Sequence, residues 1–146
     1  MNTSALLEGL RFVDTFFPSG GYAFSSGLEA AVQGGAVKTS DQLGGYIEDL
    51  LRGGMSRREA LATKRANRAG ATGQISVALA IDRTLEAAKL SRASRLASRQ
   101  MGRQVIRVAA DQIQGNSILA AYRDEVESGR APGHLAIAFG LTLGAA

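Results

Sequence analysis

One histidine, His134, and no cysteine stand in a chain of 146 residues. Any serine–histidine–carboxylate chemistry would have to pass through that single ring. His134 opens an apolar C-terminal stretch, where a polar residue reads as a satisfied core histidine or a partner contact rather than a catalyst. Without a thiol there is no disulfide framework, no thiolate metal site and no cysteine nucleophile, and one imidazole alone is a poor start for zinc or nickel. The adjacent carboxylates Glu48–Asp49 and Asp124–Glu125 fall on polar faces of predicted helices and read as solvated surface. Pro18-Ser19-Gly20-Gly21 resembles a phosphate-cradling loop only superficially. It lacks the lysine, the glycine spacing and the preceding strand, so it reads as a tight turn between helices. The expectation is a protein with no catalytic residue, no cofactor and no metal ligand.

The arginines are patterned. Arg92, Arg95, Arg99, Arg103 and Arg107 recur at intervals of 3, 4, 4 and 4, which keeps them on one helix face. Like charges at that spacing destabilise an isolated helix by a few tenths of a kcal/mol each, so the row has three readings. It is a solvated face, a match to the acidic groups Glu48/Asp49 or Asp124/Glu125/Glu127, or a docking surface. Nucleic acid is one ligand such a surface would suit, since regular cations match phosphates. Against it, none of the three tyrosines and five phenylalanines lies on the basic stretch to stack on bases. A small basic nucleic-acid-binding module using Arg92–Arg107 is therefore the second reading. Charge is segregated along the whole chain, net +4. Residues 1–51 hold two bases and six acids, residues 52–107 thirteen bases and three acids, and residues 108–146 two bases and four acids. Such a division implies either internal matching of acidic and basic faces or a basic surface offered to an acidic partner.

These residues must be carried by helices. Hydrophobic residues make up 45% of the chain and aromatics only 5%, so Ala and Leu supply the apolar content, and they lose little side-chain entropy in a helix. A first helix is expected from about Ser4 to Thr15, stopped by Pro18. A second runs from Ser25 or Ser26 to Gln33 and is stopped by Gly34-Gly35. Thr39, Ser40 or Asp41 caps a third, with the apolar stripe Leu43, Tyr46, Ile47, Leu50 and Leu51, and Gly53 ends it. Ser56 and Glu59 have capping-box spacing for a fourth helix reaching about Ala69. Ile75, Ala78, Leu79, Asp82 and Leu85 mark a fifth, and Ser91 to Ile113 a sixth, ended by Gly115. Ser117 caps a seventh, carrying Ile118, Ala121, Tyr122 and Val126 to Gly129. Residues His134 to Leu143 are apolar almost all round and should be buried. The sequence therefore predicts an all-α single domain of about seven to eight bundled helices over residues 1–146, with short connections rich in the 18 glycines. The most apolar stretch, Leu135 to Ala146, is about half the length that crosses a bilayer, and no basic-then-apolar leader is visible.

Three ordered blocks carry a family resemblance. Residues 11–32, RFVDTFFPSGGYAFSSGLEAAV, are similar to the N-terminal signature of the urease accessory protein UreF family, with Asp14, Phe17, Pro18, Gly20, Gly21, Tyr22, Ser25, Gly27, Leu28 and Glu29 in place. A second block, Arg95-Leu-Ala-Ser-Arg-Gln-Met-Gly, matches at Arg95, Ala97, Ser98, Met101 and Gly102, although a glutamate of the family pattern is replaced by Ala93. A third is His134 with Phe139-Gly140. The resemblance implies a cytoplasmic, non-enzymatic, chaperone-type protein, usually a homodimer. It implies work with the scaffold protein UreD (UreH in some systems) and the GTPase UreG to insert nickel into apo-urease, while regulating the GTPase. It also implies helices and a tail beyond Ala146 that this chain lacks. Asp14, Pro18, Gly20, Gly21, Tyr22, Ser25, Glu29, Arg95, Arg99, Arg103 and His134 are the residues it offers for partner binding.

Overall fold

The computed structural model describes residues 7, 9–12, 14, 17–113 and 117–146, and among them every regular element is helical. In chain order the α-helices are α1 (Leu28–Gln33), α2 (Ser40–Leu50), α3 (Ala60–Ala71), α4 (Ile75–Ala88), α5 (Arg92–Gln112), α6 (Ser117–Glu127) and α7 (Leu135–Ala145). A 3₁₀ turn, Gly21–Ala23, precedes α1, and a π-helical segment, Leu51–Glu59, joins α2 to α3. The all-α fold is the one the composition predicts. Of the first expected helix, residues 7 and 9–12 are helical, and the rest of its span from Ser4 to Val13, with Thr15, lies outside the described residues, as does the expected stop at Gly115.

Helix starts follow the capping chemistry closely. Thr39 Oγ1 accepts the backbone N–H of Gln42 at 3.3 Å while Gln42 Oε1 accepts that of Thr39 at 3.2 Å, a reciprocal box that opens α2. Ser91 Oγ accepts from the Ser94 N–H and opens α5. Helix stops depend on backbone geometry. Gly35, Gly73 and Gly129 all adopt positive φ, the left-handed state that closes a helix.

Gly53 does not adopt it, and the expected stop there fails. The backbone runs on through Leu51–Glu59 as one wide-wound segment, so no new helix starts at Ser56. The Glu59 side chain makes no capping bond and instead meets Nζ of Lys89, just past the end of α4. A glycine permits a left-handed stop, but nothing in the residue itself imposes one.

The core forms around α7. It has no polar face, and Ile137, Ala138 and Leu141 are completely buried, each large side chain stabilising the fold by roughly 1.5–3 kcal/mol. Its most extensive partner is α3, and the two backbones nearly touch. A Cβ on Gly140 would sit 2.4 Å from the Thr63 carbonyl oxygen, and one on Gly144 would sit 2.1 Å from that of Asn67. Ala62, Ala66, Ala69 and Gly70 supply the small surface of α3 that this approach needs. Helices α4, α5 and α6 enclose the remaining sides of α7. The N-terminal segment adds Phe12, buried and stacked at a tilt on Phe17 with centroids 5.2 Å apart.

Helix α2 stands outside this core. Its apolar stripe is expected to be buried, yet no residue of α2 is, and Ile47 and Leu51 are 48% and 51% exposed. The cause is positional. Among the described elements, the only substantial neighbour of α2 is the π-helical segment, which stands between it and α3 in the chain.

Candidate functional site: a buried polar network and an arginine groove

The polar centre of the molecule is assembled at the N-terminal end of α7. On α4, Asp82 and Glu86 are four residues apart and share a face. Asp82 is completely buried, and its carboxylate accepts three hydrogen bonds. Oδ2 takes the Tyr122 hydroxyl of α6 at 2.8 Å and the Gly133 N–H at 2.8 Å, and Oδ1 takes the His134 N–H at 3.1 Å. Two of these donors are backbone groups in the turn that enters α7, a turn that needs Gly133 at φ +80°. Asp82 thus anchors the start of α7, where helix N–H groups favour negative charge.

Ser98 and Gly102 of α5 serve the same turn from the other side. They are one helical turn apart, so both face it. The absence of a side chain at Gly102 admits the backbone, because a Cβ there would lie 2.1 Å from the Gly133 carbonyl oxygen and 2.7 Å from the Leu135 nitrogen. Ser98 Oγ accepts the Leu135 N–H at 3.3 Å and lies 3.1 Å from His134 Nδ1. His134 Nε2 lies 2.7 Å from Glu86 Oε2. A neutral ring satisfies all of these contacts. Nε2–H donates to the Glu86 carboxylate, the Ser98 hydroxyl donates to Nδ1, and the Ser98 oxygen receives the backbone N–H. Burial favours this neutral form, pushing the His134 pKa below the ordinary 6.5 despite the opposing pull of Asp82 and Glu86. Burial, reinforced by Asp82, raises the Tyr122 hydroxyl well above its ordinary value.

Arginines close the network toward solvent. Arg95 Nε and Arg99 Nη1 flank Glu86 Oε1 at 3.8 and 3.6 Å. Arg95 also donates to the carbonyls of Lys89 and Leu90, just past the C-terminus of α4, where a cation complements the helix dipole.

Serine, histidine and glutamate in hydrogen-bonded succession have the composition of a hydrolytic triad, but this set is built as a strut. His134 is completely buried, the Ser98 oxygen is occupied by a backbone N–H, and neither groove found among the described residues is lined by either side chain. A nucleophile needs room for a substrate carbonyl and free donors aimed at its oxyanion. Among the described residues no cluster of three or more metal-ligating side chains forms, and no helix is long and apolar enough to cross a membrane.

The remaining residues singled out in the sequence lie elsewhere. Asp14, Pro18, Gly20, Tyr22 and Glu29 are exposed, Tyr22 fully so, while Gly21 and Ser25 are partly covered. Gly20 has φ +75°, and a Cβ on Gly21 would lie 3.3 Å from Met101 Sδ, so the Pro18–Gly21 turn rests against α5. Arg103 is exposed and has no ion-pair partner among the described residues. It lines a groove of about 660 Å³ with Arg99, Arg107 and Glu127, over an apolar floor of Leu96, Ile106 and Val126. Of the acidic groups expected to match the arginine row, Glu48 pairs with Arg52, Asp124 with Arg123 and Glu125 with Arg130, while Glu127 lines the groove beside the arginines. The charge partner of Arg95 and Arg99 is Glu86. Sequence reasoning leaves Asp82, Glu86 and Tyr122 without a role. A signal was present in Asp82 and Tyr122, each a polar group within an apolar stripe.

A family model described as UreF matches residues 37–146, from just before α2 to the last residue. Proteins named urease accessory protein UreF are similar along most of the chain. The protein from Methylobacterium sp. (strain 4-46) is 34% identical over 93% of this chain and 53% of its own length. That from Lachnoclostridium phytofermentans is 29% identical over 93% of this chain and 59% of its own. That from Photorhabdus laumondii subsp. laumondii is 28% identical over 99% of this chain and 63% of its own. The chain thus spans somewhat more than half the length of these curated relatives. No solved structure matches it.

Proposed function

The chain belongs to the UreF family, and we propose that it is a non-catalytic accessory protein of urease maturation, acting in the cytoplasm as a chaperone-type homodimer. In this reading it joins the scaffold protein UreD (UreH) and the GTPase UreG, and the assembly inserts nickel into apo-urease while GTP hydrolysis is regulated. The observation that carries it is the family match over residues 37–146, which takes in α2 to α7 and so every residue of the buried network. The geometry supports an assembly role. The polar groups at the centre of the fold hold helices together, and the unengaged chemistry lies on the surface, in the Pro18–Gly21 turn with Tyr22 and Glu29 and in the Arg103 groove. On this reading Asp14, Pro18, Gly20, Gly21, Tyr22, Ser25, Glu29 and Arg103 meet partners directly. Arg95, Arg99 and His134 act by fixing the helices that present them.

Co-purification of the chain with UreD and UreG from the same source, with and without GTP and nickel, tests the proposal. A stable UreD complex that recruits UreG is expected. A folded helical chain that binds neither protein would overturn it.

A further inference from the structure

Helices α3 and α4 leave a second groove between them, and its charge is unanswered. Residues 57–71 hold five bases and one acid, and that acid, Glu59, is taken by Lys89. Arg57, Arg58 and Arg65 line the groove, and all three are exposed. Arg57 and Arg65 have no hydrogen-bond or ion-pair partner among the described residues. Arg58 gives one N–H to the Ala88 carbonyl at 3.5 Å, at the end of α4. Both acids of α4 are committed elsewhere, Asp82 to the turn into α7 and Glu86 to His134 with Arg95 and Arg99. Between the arginines the groove is apolar. Ile81 and Leu85, four residues apart on one face of α4, line it opposite Leu61 of α3. Leu61 is 46% exposed. The space is about 150 Å³, and an apolar cavity of about 150 Å³ accommodates one benzene ring. It has room for a single side chain.

We propose that this groove binds an acidic linear peptide segment of another protein. One large apolar side chain of the segment seats on Leu61, Ile81 and Leu85, and its flanking carboxylates meet Arg57, Arg58 and Arg65. Charge complementarity sets the sign of the ligand, because three guanidiniums and no carboxylate line the groove. Guanidinium also matches carboxylate geometrically, through two parallel hydrogen bonds. The small apolar space sets the second requirement. An apolar anchor in a desolvated pocket, ringed by polar contacts, is how a few residues come to carry an interface. A nucleic acid would leave that space empty, and no aromatic ring lines the groove to stack on a base. A lipid surface needs a broad apolar face, whereas the large apolar side chains exposed on α3 and α4 are only Leu61 and Val77. The groove lies apart from the buried network and from the Arg103 groove. It thus goes beyond the accessory role and depends on none of the partners named above. It also gives a use to the part of the basic middle of the sequence that the α5 row leaves unexplained.

The test is fluorescence anisotropy of a fluorescein-labelled synthetic peptide, EEDEFEDEE, titrated with the whole chain. Two companion peptides carry alanine in place of the phenylalanine, or lysine in place of every acid. The unmodified chain should bind the first peptide, bind the alanine peptide about tenfold more weakly through loss of the buried side chain, and ignore the lysine peptide. A chain carrying Arg57→Glu and Arg65→Glu should bind the first peptide about tenfold more weakly, as expected for two exposed charge pairs lost and reversed. Both side chains are exposed, so far-UV circular dichroism should be unchanged. Arg57→Lys with Arg65→Lys should restore most of the binding, and Arg103→Glu, in the other groove, should leave it intact. If the charge-reversed chain does not fold, the comparison of phenylalanine and alanine peptides on the unmodified chain still decides. Equal binding of those two peptides overturns the inference, because charge alone then explains the contact. So does the absence of binding by the unmodified chain, or a loss on Arg103→Glu as large as that on reversing Arg57 and Arg65. A single-stranded oligonucleotide or phosphatidylserine vesicles bound more tightly than the peptide, and released by the same reversal, would assign the groove to that ligand instead.

Discussion

Replacing Asp82 by asparagine exchanges one carboxylate oxygen for an NH₂ group and gives a direct measure of the buried network. The carboxylate accepts three hydrogen bonds from groups that can only donate in this geometry or are best placed to do so: the Tyr122 hydroxyl, the Gly133 N–H and the His134 N–H. Asparagine offers one oxygen and one NH₂ in the same space. With the oxygen at the Oδ2 position, Tyr122 and Gly133 stay bonded and the His134 N–H faces an NH₂. With the amide turned over, His134 is bonded and the Gly133 N–H is opposed. Either way one buried backbone donor is orphaned, at about 1–3 kcal/mol. Tyr122→Phe removes one bond to a charged acceptor but leaves both backbone donors satisfied, and should cost about 1.5–3 kcal/mol. The two losses share one oxygen, so the double variant should be less destabilised than the sum of the single ones. Asp82→Ala would orphan all three donors and leave a cavity, a loss comparable to the whole stability of a domain of this size, which is why asparagine is the informative change. Urea unfolding followed by far-UV circular dichroism measures these differences. An Asp82→Asn protein within about 0.5 kcal/mol of the unmodified chain, the range of ordinary surface substitutions, would refute the account of α7 being anchored through this carboxylate.

Acidification should weaken the fold through His134. Its folded pKa lies below the ordinary 6.5 because burial disfavours the charged ring. The unfolded chain therefore binds the proton more readily, and stability rises with pH between the folded value and 6.5. The contribution is complete above 6.5 and is lost as pH falls through the folded value. Unfolding midpoints should thus drop on going below 6.5, and a His134→Gln chain should show a shallower dependence; equal slopes would remove the histidine from the explanation. Gly102→Ala should cost about 3 kcal/mol, the upper end of overpacking, because the new Cβ meets backbone atoms of residues 133–135 rather than a flexible side chain; thermal unfolding would show it. Thr39→Ala should remove about 1 kcal/mol of cap energy and show as faster amide exchange confined to α2, since α2 stands outside the core; exchange quickened across α7 as well would contradict that separation.

Most of the helices were legible in the sequence because each is marked locally. Thr39 with Gln42, Ser91 with Ser94 and the left-handed glycines 35, 73 and 129 are signals that act within a few residues. The misplaced stop at Gly53 shows the limit of such signals, since a glycine has the same local appearance whether or not the chain uses its freedom. The exposure of Ile47 and Leu51 was illegible for a different reason. An apolar stripe records that a helix face needs cover, not whether that cover belongs to the same copy of the chain. The buried network draws on α4, α5, α6 and the turn into α7, and no local pattern joins them. Even so, parts of it were visible. Ser98 and Gly102 at one-turn spacing, and His134 at the head of an apolar helix, are halves of one contact. Asp82 sits where its neighbours Ala78 and Leu85 are buried, which alone marks it as a carboxylate with internal partners.

The near-contact of α3 and α7 has a kinetic consequence. About half the chain separates these helices in sequence, yet their interface is the most extensive in the molecule, and the polar network forms only once the turn into α7 has arrived. Helices α3 to α6 can each wind from local interactions, but the surface of small residues on α3 stays uncovered until α7 is delivered. The fold is thus a helical one whose decisive contact is remote in sequence, and loop closure must precede the gain from packing. Its folding should be slower than that of a bundle of neighbouring hairpins, with a late, concerted burial of α7 as the step that sets the rate. During synthesis helices α3 to α6 emerge first as a loosely associated set, and the core closes only once α7 has followed them.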